Sequence, residues 1–308
     1  MTKPMKRVTG FALFLTITIL LGWRPIVATL GLAIQDDQFT YILLILPVSI
    51  ALIFLEWRSL QTMLDRGTLA GIVLLSLAAL TACTTFVWSS SLTSDVRLSV
   101  NMLALVLSWI GAFVLYFGFR ASRSVSFPLL FLFGLVPLPA FVLNSIVAFL
   151  QQASAGMAHI FFAAFGVPVV QDGVILTIPK LTLQVAEECS SIRSSSMLLV
   201  TTMVLAQLLL RSPWRKALLI CLAVPLSVAK NGLRIFTIAM LGTRVDPRFL
   251  TGKLHRDGGI VFFAIALAAT FALLWILRLG EYSQRISKLD HGESTSTQTG
   301  GQDPGVRW

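Results

Sequence analysis

Charge is what this sequence has least of: only 12% of its 308 residues are Asp, Glu, Lys or Arg, whereas a soluble domain carries about 25%. The mean hydropathy is +0.84, and apolar runs of about 20 residues, the length needed to cross a bilayer, recur along the whole chain. These runs are continuous rather than alternating, which excludes a membrane β-barrel. No internal repeat of the kind found in inverted-repeat transporters is present. The sequence therefore predicts an all-α, polytopic membrane helical bundle.

Acidic residues and cysteines are also few. The chain has 14 Asp and Glu against 24 Lys and Arg, a net charge of +10. The basic residues are scattered between the apolar runs, as expected for charges that orient membrane helices, so we predict no nucleic-acid partner. Of the three cysteines, Cys83 and Cys221 fall inside apolar runs, where a small thiol is ordinary. Cys189 lies outside such a run and has no evident disulfide partner.

Eight apolar runs predict about eight transmembrane helices. The first run follows a basic start and resembles a signal peptide, but no small-residue cleavage site comes after it, so it is predicted to be an uncleaved span. The runs lie at residues 9–23, 40–56, 68–88, 98–118, 127–150, 193–210, 217–241 and 258–277.

The distribution of Lys and Arg between the spans predicts the orientation of the chain, because short loops rich in these residues stay in the cytoplasm. With the N-terminus in the cytoplasm, every second connection is basic and lies on the same side. These cytoplasmic segments hold Lys3, Lys6, Arg7, Arg58, Arg66, Arg120, Arg123, Arg211, Arg215, Lys216, Arg278, Arg285 and Lys288. By contrast, the opposite segment at 151–190 carries only Lys180. We therefore predict a multi-pass protein of the cytoplasmic (inner) membrane with both termini in the cytoplasm.

Two segments on the outer side are more than short connections. One, at 151–190, includes VVQDGVILTIPKLTLQV, whose apolar residues alternate around an Asp-Gly turn and predict a short extracytoplasmic β-hairpin before the sixth span. The other, at 243–259, is basic although it lies outside. The tail is polar and low in complexity, which is typical of disorder. The predicted organisation is a group of four spans at 1–126, a transmembrane core at 127–280 and a disordered cytoplasmic tail at 281–308.

Three polar groups on successive spans are predicted to reach the outer face of the membrane. A helix rises about 1.5 Å per residue, and the hydrocarbon core is about 30 Å thick. Counted from the cytoplasmic ends of their spans, Cys189 and Arg234 lie 22 and 18 residues away, which is roughly 33 and 27 Å in a helix. The last span begins roughly 30 Å from its cytoplasmic end, and His255 lies just before that beginning.

A nucleophile, a proton carrier and a fixed cation on one surface are what acyl transfer requires. Cys189 would begin the sixth span, where the helix dipole and free backbone N–H groups favour the thiolate. Glu187 and Glu188 oppose this by charge repulsion, so a nearby cation is needed. His255 can pair with the thiolate and later protonate a leaving amine. Arg234 keeps its charge and suits contact with an oxyanion or a substrate carboxylate.

Other assignments of these roles stay open. Arg193 follows Cys189 by four residues on the same helix face and is a rival for the electrostatic role. His159 is a second outer-side histidine, but it stands on an apolar helix without polar neighbours. Metal ligation by the two glutamates, the cysteine and His255 lacks the usual ligand spacing, so no metal and no cofactor is predicted.

Three short motifs carry the candidate residues: VAEECSSIRS at 185–194, NGLRI at 231–235 and LHRDGG at 254–259. With the order Cys, Arg, His on successive helices, they resemble the exosortase/archaeosortase family of polytopic membrane cysteine transpeptidases. The resemblance extends over roughly 120–280 and implies that Cys189 is the nucleophile, with Arg234 and His255 completing a triad. Asn231, in the second motif, is a further candidate. The family usually has glycine where Ser191 stands, a departure that concerns the substrate motif more than the chemistry.

The resemblance implies C-terminal protein sorting of the PEP-CTERM type. Substrates of the family are exported proteins that end in a short motif (Pro-Glu-Pro-like in bacteria), one membrane helix and a basic cluster. The enzyme is expected to cut near the motif on the outer, periplasmic face and to transfer the acyl group to a membrane lipid or another acceptor. An acidic motif residue would be attracted by the basic segment after the seventh span, which carries Arg244, Arg248, Lys253 and Arg256.

Two other classes of function compete with this one. A transporter or channel is disfavoured because intramembrane charges are few and no pair of broken helices is predicted at the midplane. A lipid- or glycan-transferring membrane enzyme would also use basic residues at the outer face, but it would not need a cysteine. The variant Cys189→Ser separates the two kinds of enzyme, since loss of activity favours thiol chemistry.

Overall fold

Helices account for most of the structure, a computed structural model that describes residues 3–57, 60, 68–88, 90–179, 181–185, 192–248 and 259–298. Together with one small antiparallel sheet they confirm the predicted fold class, an all-α polytopic bundle. The chain divides into two compact units, Met1–Phe149 and Leu150–Trp308. The three-part organisation expected from the sequence stays a prediction.

The first unit consists of helices and two 3-10 turns. Its most buried helix, α5 (Ser94–Phe117), packs against α4 (Thr68–Val87) and α1 (Lys3–Leu21). The Trp109 Nε1 atom of α5 donates a hydrogen bond to Thr18 Oγ1 of α1 at 3.0 Å. The elements are α1 (Lys3–Leu21), α2 (Trp23–Gln35), a 3-10 turn (Asp37–Phe39), α3 (Ile42–Leu55), α4 (Thr68–Val87), α5 (Ser94–Phe117), α6 (Phe119–Ser124), α7 (Ser126–Phe131), a second 3-10 turn (Leu132–Leu135) and the start of α8 (Ala140–Ala164).

Seven of the described helical segments are long and apolar enough to cross a membrane, and α1 and α2 would add an eighth as one bent span. The two helices of this pair are bent by 73°. The sequence did not predict α2, because Arg24 and Pro25 interrupt the apolar pattern there. Pro25 lies in the first turn of the helix, where proline is tolerated because its missing N–H has no partner to lose.

The fifth span lies further along the chain than predicted. The sequence placed it at 127–150, but helix α8 runs over Ala140–Ala164, and the residues before it form only a short helix and a 3-10 turn. Pro137 and Pro139 explain the difference, because proline donates no backbone hydrogen bond and disfavours a helical residue before it. Most of the segment QQASAGMAHIFFAAF, expected in the outer connection, therefore belongs to this span.

The second unit contains the rest of α8, a sheet and three long helices. The strands pair antiparallel in the order β1-β2-β3, and Gly173 in the first turn has a φ of +59°, a conformation that favours glycine. The predicted hairpin is thus present, with one additional strand. The elements are β1 (Val170–Asp172), β2 (Ile175–Ile178), β3 (Leu181–Gln184), α9 (Ile192–Leu209), α10 (Pro213–Arg244) and α11 (Gly259–Gln298).

The sheet is anchored to α8 and α10 by an apolar cluster. Leu176 and Ile178 alternate with exposed residues along β2 and point into this cluster. The rings of Phe162 and Phe236 meet edge to face at 5.1 Å between centroids. This packing holds the sheet beside the last turns of α10. At the opposite end of α10, the Glu281 carboxylate accepts a 2.7 Å hydrogen bond from the Ser212 backbone N–H.

The backbone of α11 continues to Gln298, so a helical backbone covers part of the tail for which the sequence predicts disorder. Its apolar, span-length part is Gly259–Glu281.

Gly232 lets α8 and α10 approach closely, because it has no side chain at the contact. A Cβ atom at this position would lie 2.7 Å from the Met157 side chain and 3.0 Å from the Ala158 backbone nitrogen. We expect Gly232→Ala to destabilise the protein by about 1–3 kcal/mol, the usual cost of overpacking, as measured by thermal denaturation in detergent. The matched control is Gly156→Ala in α8, where an added Cβ meets no atom within 4 Å. Equal stability of the two variants would contradict the packing described for this helix pair.

Candidate active site

Four polar residues form a buried face on α10. Ser227, Lys230, Asn231 and Arg234 are spaced three, four and seven residues apart, which places them on one side of a helix. Their exposed fractions are 3%, 5%, 1% and 9%, and the helix is one of those able to cross a membrane. A charged side chain at the centre of a membrane helix costs about 2.5–3.5 kcal/mol on insertion scales. Lys230 and Arg234, buried one turn apart inside this span, therefore make this face a candidate functional site rather than a lipid-facing surface.

The buried face of α10 is bonded to the start of α9. Lys230 Nζ donates a hydrogen bond to Ser194 Oγ, and Ser227 Oγ donates to Ser195 Oγ at 2.6 Å. Both serines belong to the run RSSS that opens α9. These bonds give Ser227 and Lys230 hydroxyl partners and fix the first turns of α9 against the middle of α10.

Asn231 links the same face to α8. Its Nδ2 atom donates a hydrogen bond to Ser154 Oγ at 2.9 Å. Its Oδ1 atom is buried without a hydrogen-bond partner among the described residues. Asn231, a candidate from the second sequence motif, thus connects the helix that carries Arg234 to the helix that precedes the sheet.

Arg234 lines a pocket beside the third strand. Three consecutive residues at the end of β3 form one wall of the pocket, and one side of α10 forms the other. Val185 is the last of the three lining residues at the end of β3 and the last described residue before α9. Cys189 follows it by four positions in the chain. The lining residues are Leu183, Gln184, Val185, Arg234, Ile235, Ile238 and Ala239.

The beginning of α11 lies at the level of Arg234. Arg215 Nη1 donates a hydrogen bond to the Leu277 carbonyl at 2.9 Å, and α10 and α11 run antiparallel from this contact. Gly259 precedes Leu277 by 18 residues and Arg234 follows Arg215 by 19, which corresponds to roughly 27 and 28 Å of helix. The Lys230–Ser194 bond holds the start of α9 against the same part of α10.

The structure separates the two arginines proposed for the electrostatic role. Arg193 is exposed in the first turn of α9, whereas Arg234 is buried. Cys189, Glu187, Glu188 and His255 lie outside the described residues, so their roles stay predictions. Within the described ranges, no group of three His, Cys, Asp or Glu side chains is arranged to hold a metal ion.

His159 is found within a helix long enough to cross the membrane, rather than in an outer connection. It belongs to α8, and its Nδ1 atom is buried without a hydrogen-bond partner in the described part of the chain. The difference follows from the shift of the fifth span described above.

Sequence reasoning missed Lys230 and its serine partners. The sequence alone indicates Lys230 as a candidate, because it lies well inside the predicted seventh span and an ionisable residue inside a membrane span is a functional candidate by default. The pairing with Ser194 was not predictable, since it depends on the register between two helices.

The fold defines a multi-pass membrane protein, and α10 in its second unit carries a buried polar face that includes Lys230 and Arg234. The model of the transmembrane exosortase family matches residues 33–272. The chain belongs to the transmembrane exosortase family, which confirms the resemblance seen in its three motifs. The match begins well before residue 120 and so includes earlier spans. No curated protein and no solved structure matches the chain.

Membership of this family makes the chain a membrane enzyme of the transpeptidase type. The exosortases are membrane cysteine transpeptidases, and they act on exported proteins that bear sorting signals. The positions of Cys189, Arg234 and His255 all fall within the matched residues.

Proposed function

We propose that this exosortase cleaves the C-terminal sorting signal of exported proteins by means of Cys189, Arg234 and His255, and passes the acyl group to an acceptor. The observation that carries the proposal is Arg234, 9% exposed, in a pocket that it shares with the end of β3. Cys189 follows that strand by five residues. A fixed cation beside the strand that precedes the cysteine in the chain supports an assignment to acyl transfer, which needs a cation as well as a thiol. All three residues lie in the core at 127–280, which we regard as the catalytic part.

In the first half of the reaction, the Cys189 thiolate attacks the carbonyl carbon of the scissile peptide bond. The new C–S bond moves negative charge onto the carbonyl oxygen, where the permanently charged Arg234 guanidinium stabilises it. Collapse of the tetrahedral intermediate breaks the C–N bond, and the leaving amine takes a proton from His255. The products are a thioester on Cys189 and a free C-terminal fragment.

In the second half, an acceptor gives its proton to His255 and attacks the thioester. The C–S bond breaks and the thiolate of Cys189 is restored. A membrane lipid or another nucleophile gives transfer, whereas water gives hydrolysis. The proposed substrates carry a short motif, one membrane helix and a basic tail. An acidic motif residue would be attracted by the basic segment that begins at the end of α10, where Arg244 and Arg248 are exposed.

We further propose that both termini are cytoplasmic and that the sheet and the pocket of Arg234 face the outside of the inner membrane. The Lys and Arg residues of the connections support this orientation. In the second unit, Arg211, Arg215 and Lys216 lie at the end of α10 opposite to Arg234. An even number of spans, with α1 and α2 counted as one bent span, agrees with two termini on one side.

Cysteine accessibility tests this orientation. In a cysteine-free background, Asp172→Cys in β1 and Ser124→Cys in α6 both introduce thiols at exposed positions. We expect a membrane-impermeant maleimide to label Asp172→Cys on intact cells and to label Ser124→Cys only after permeabilisation. Labelling of Ser124→Cys on intact cells would show that the orientation is wrong.

The nucleophile is tested by three alanine variants. Cys189→Ala is expected to leave the protein inserted and folded but to abolish processing, because covalent catalysis has no substitute nucleophile. Cys83→Ala and Cys221→Ala are the matched controls, since both thiols are free and exposed, and both variants should keep activity. The measurement is conversion of a tagged exported substrate that carries the cognate signal. Continued processing by Cys189→Ala would rule out the thiol mechanism.

The choice between the two arginines is tested by conservative substitution. Lysine keeps the charge but loses the planar fork of arginine. We expect Arg234→Lys to lower the rate by roughly 10²–10³, the value of one oxyanion-stabilising donor. Arg193→Lys, at an exposed position, should be much milder. Rates are compared after the membrane level of each variant is normalised by immunoblot. An inactive Arg193→Lys beside a nearly normal Arg234→Lys would reverse the two roles.

A further inference from the structure

The third strand, β3, is an edge of the small sheet. The strands lie in the order β1-β2-β3, so β3 is paired with β2 on one side only. The Val185 N–H donates to the Val174 carbonyl at 2.9 Å, and bonded pairs alternate with non-bonded pairs along an antiparallel ladder. In the observed register, Thr182 and Gln184 fall at the non-bonded positions. Their N–H and C=O groups therefore point away from β2, toward the open edge.

The open edge of β3 is accessible and unprotected. The side chains of Thr182 and Gln184 are exposed, and within the described ranges no backbone group bonds to this side of the strand. Proteins commonly protect edge strands with charged residues or proline. The other edge, β1, carries Asp172 and closely follows Pro168, whereas β3 reads LTLQ and has neither. An edge of this kind is a template for another extended chain.

The open edge leads to the pocket of Arg234. Gln184 belongs to the edge and also lines the pocket, and Arg234 lines the facing wall on α10. A strand added to a sheet lies about 4.8 Å from its neighbour. A chain paired with Thr182 and Gln184 would therefore end beside this pocket, next to the guanidinium to which we assign the scissile carbonyl.

The chemistry of the edge fits a short, extended peptide. The proposed substrates carry a short motif directly before a membrane helix. Backbone N–H and C=O groups without partners are costly near lipid, and both the motif and the edge of β3 present such groups. Strand addition would satisfy both sets at once. Main-chain hydrogen bonds would supply affinity, and the pocket would supply specificity.

We propose that the motif of the exported substrate binds as a fourth strand along β3, paired with the backbone of Thr182 and Gln184, and that its continuation enters the pocket of Arg234. This inference rests on the proposed function, because the occupant is the substrate of the proposed reaction. No covalent bond changes in this step. The sheet is then the element that presents the peptide bond in an extended conformation to Arg234.

Proline substitution tests the main-chain pairing. Thr182→Pro removes an outward N–H, and proline is tolerated at edge positions whose N–H faces away from the sheet. We expect the KM for a tagged exported substrate to rise about tenfold, the effect of one lost hydrogen bond and its unpaired partner, with kcat nearly unchanged. The matched control is Gln171→Pro in β1. The N–H of Gln171 also points away from β2, because Leu176 opposite it bonds to β3.

The control should keep the KM and kcat of the parent enzyme after normalisation to the membrane level of each variant. A parent-like KM in Thr182→Pro would overturn the inference. An equal rise of KM in both proline variants would also overturn it, because it would report a damaged sheet rather than a lost partner of β3.

Photo-cross-linking tests the location of the bound substrate directly. In the full-length Cys189→Ala variant, p-benzoylphenylalanine replaces either Thr182 or Val170. Both side chains are exposed and lie in one row across the sheet, since each is opposite Thr177. We expect the substrate to cross-link from position 182 and not from position 170. Equal cross-linking from both positions would overturn the inference. So would a cross-link between two enzyme molecules from position 182 in place of the substrate, because a second copy of the chain would then occupy the edge.

The cross-linking experiment separates this inference from the proposed function, because it measures binding without catalysis. If Cys189→Ala still processes substrate, the proposed function fails, whereas the cross-links still report where the peptide binds. If Cys189→Ala is inactive and position 182 gives no cross-link to the substrate, only the inference about β3 fails.

Discussion

Two cations buried one turn apart on a single membrane helix are the constraint on which the second unit depends. Lys230 and Arg234 cannot face lipid at an acceptable cost, so the neighbouring elements must enclose α10. The serines at the start of α9 supply hydroxyl partners, and Gly232 allows α8 to pack closely against the same part of the helix. The sheet encloses the region beside Arg234. Small and hydroxyl residues at helix contacts are typical of membrane bundles.

The level of the site along the helix fits chemistry at a membrane boundary. Helix α10 has 32 residues, roughly 48 Å at the usual rise, and is therefore longer than the hydrocarbon core of about 30 Å. Arg234 lies 21 residues from Pro213 and ten from Arg244, which places it near one end of the segment that lipid surrounds. A scissile bond next to a substrate membrane helix would arrive at the same depth. An acceptor at the lipid surface could reach a thioester there without entering the bundle.

Much of this arrangement was predictable because its causes are local. Span positions follow from apolar runs, the hairpin follows from alternation around Asp172 and Gly173, and the level of Arg234 follows from the helix rise. The fifth span was misplaced because its apolar run continues across Pro137 and Pro139, where the helix cannot. Lys230 and its bond to Ser194 were missed because helix register is a tertiary property. The exposure of Arg193 and the burial of Arg234 likewise depend on which helix faces pack together, and periodicity alone did not separate them.

The central claim, that the reaction proceeds through a thioester on Cys189, is tested most directly by isolating the acyl-enzyme. Purified full-length protein is mixed with a tagged substrate in detergent without added acceptor, quenched in acid, digested and analysed by mass spectrometry. We predict that the peptide containing Cys189 carries the mass of the sorted fragment and loses it on treatment with neutral hydroxylamine, as a thioester does. Cleavage of the substrate with no adduct on Cys189, or with the fragment on a hydroxyl such as that of Ser194, would contradict the account.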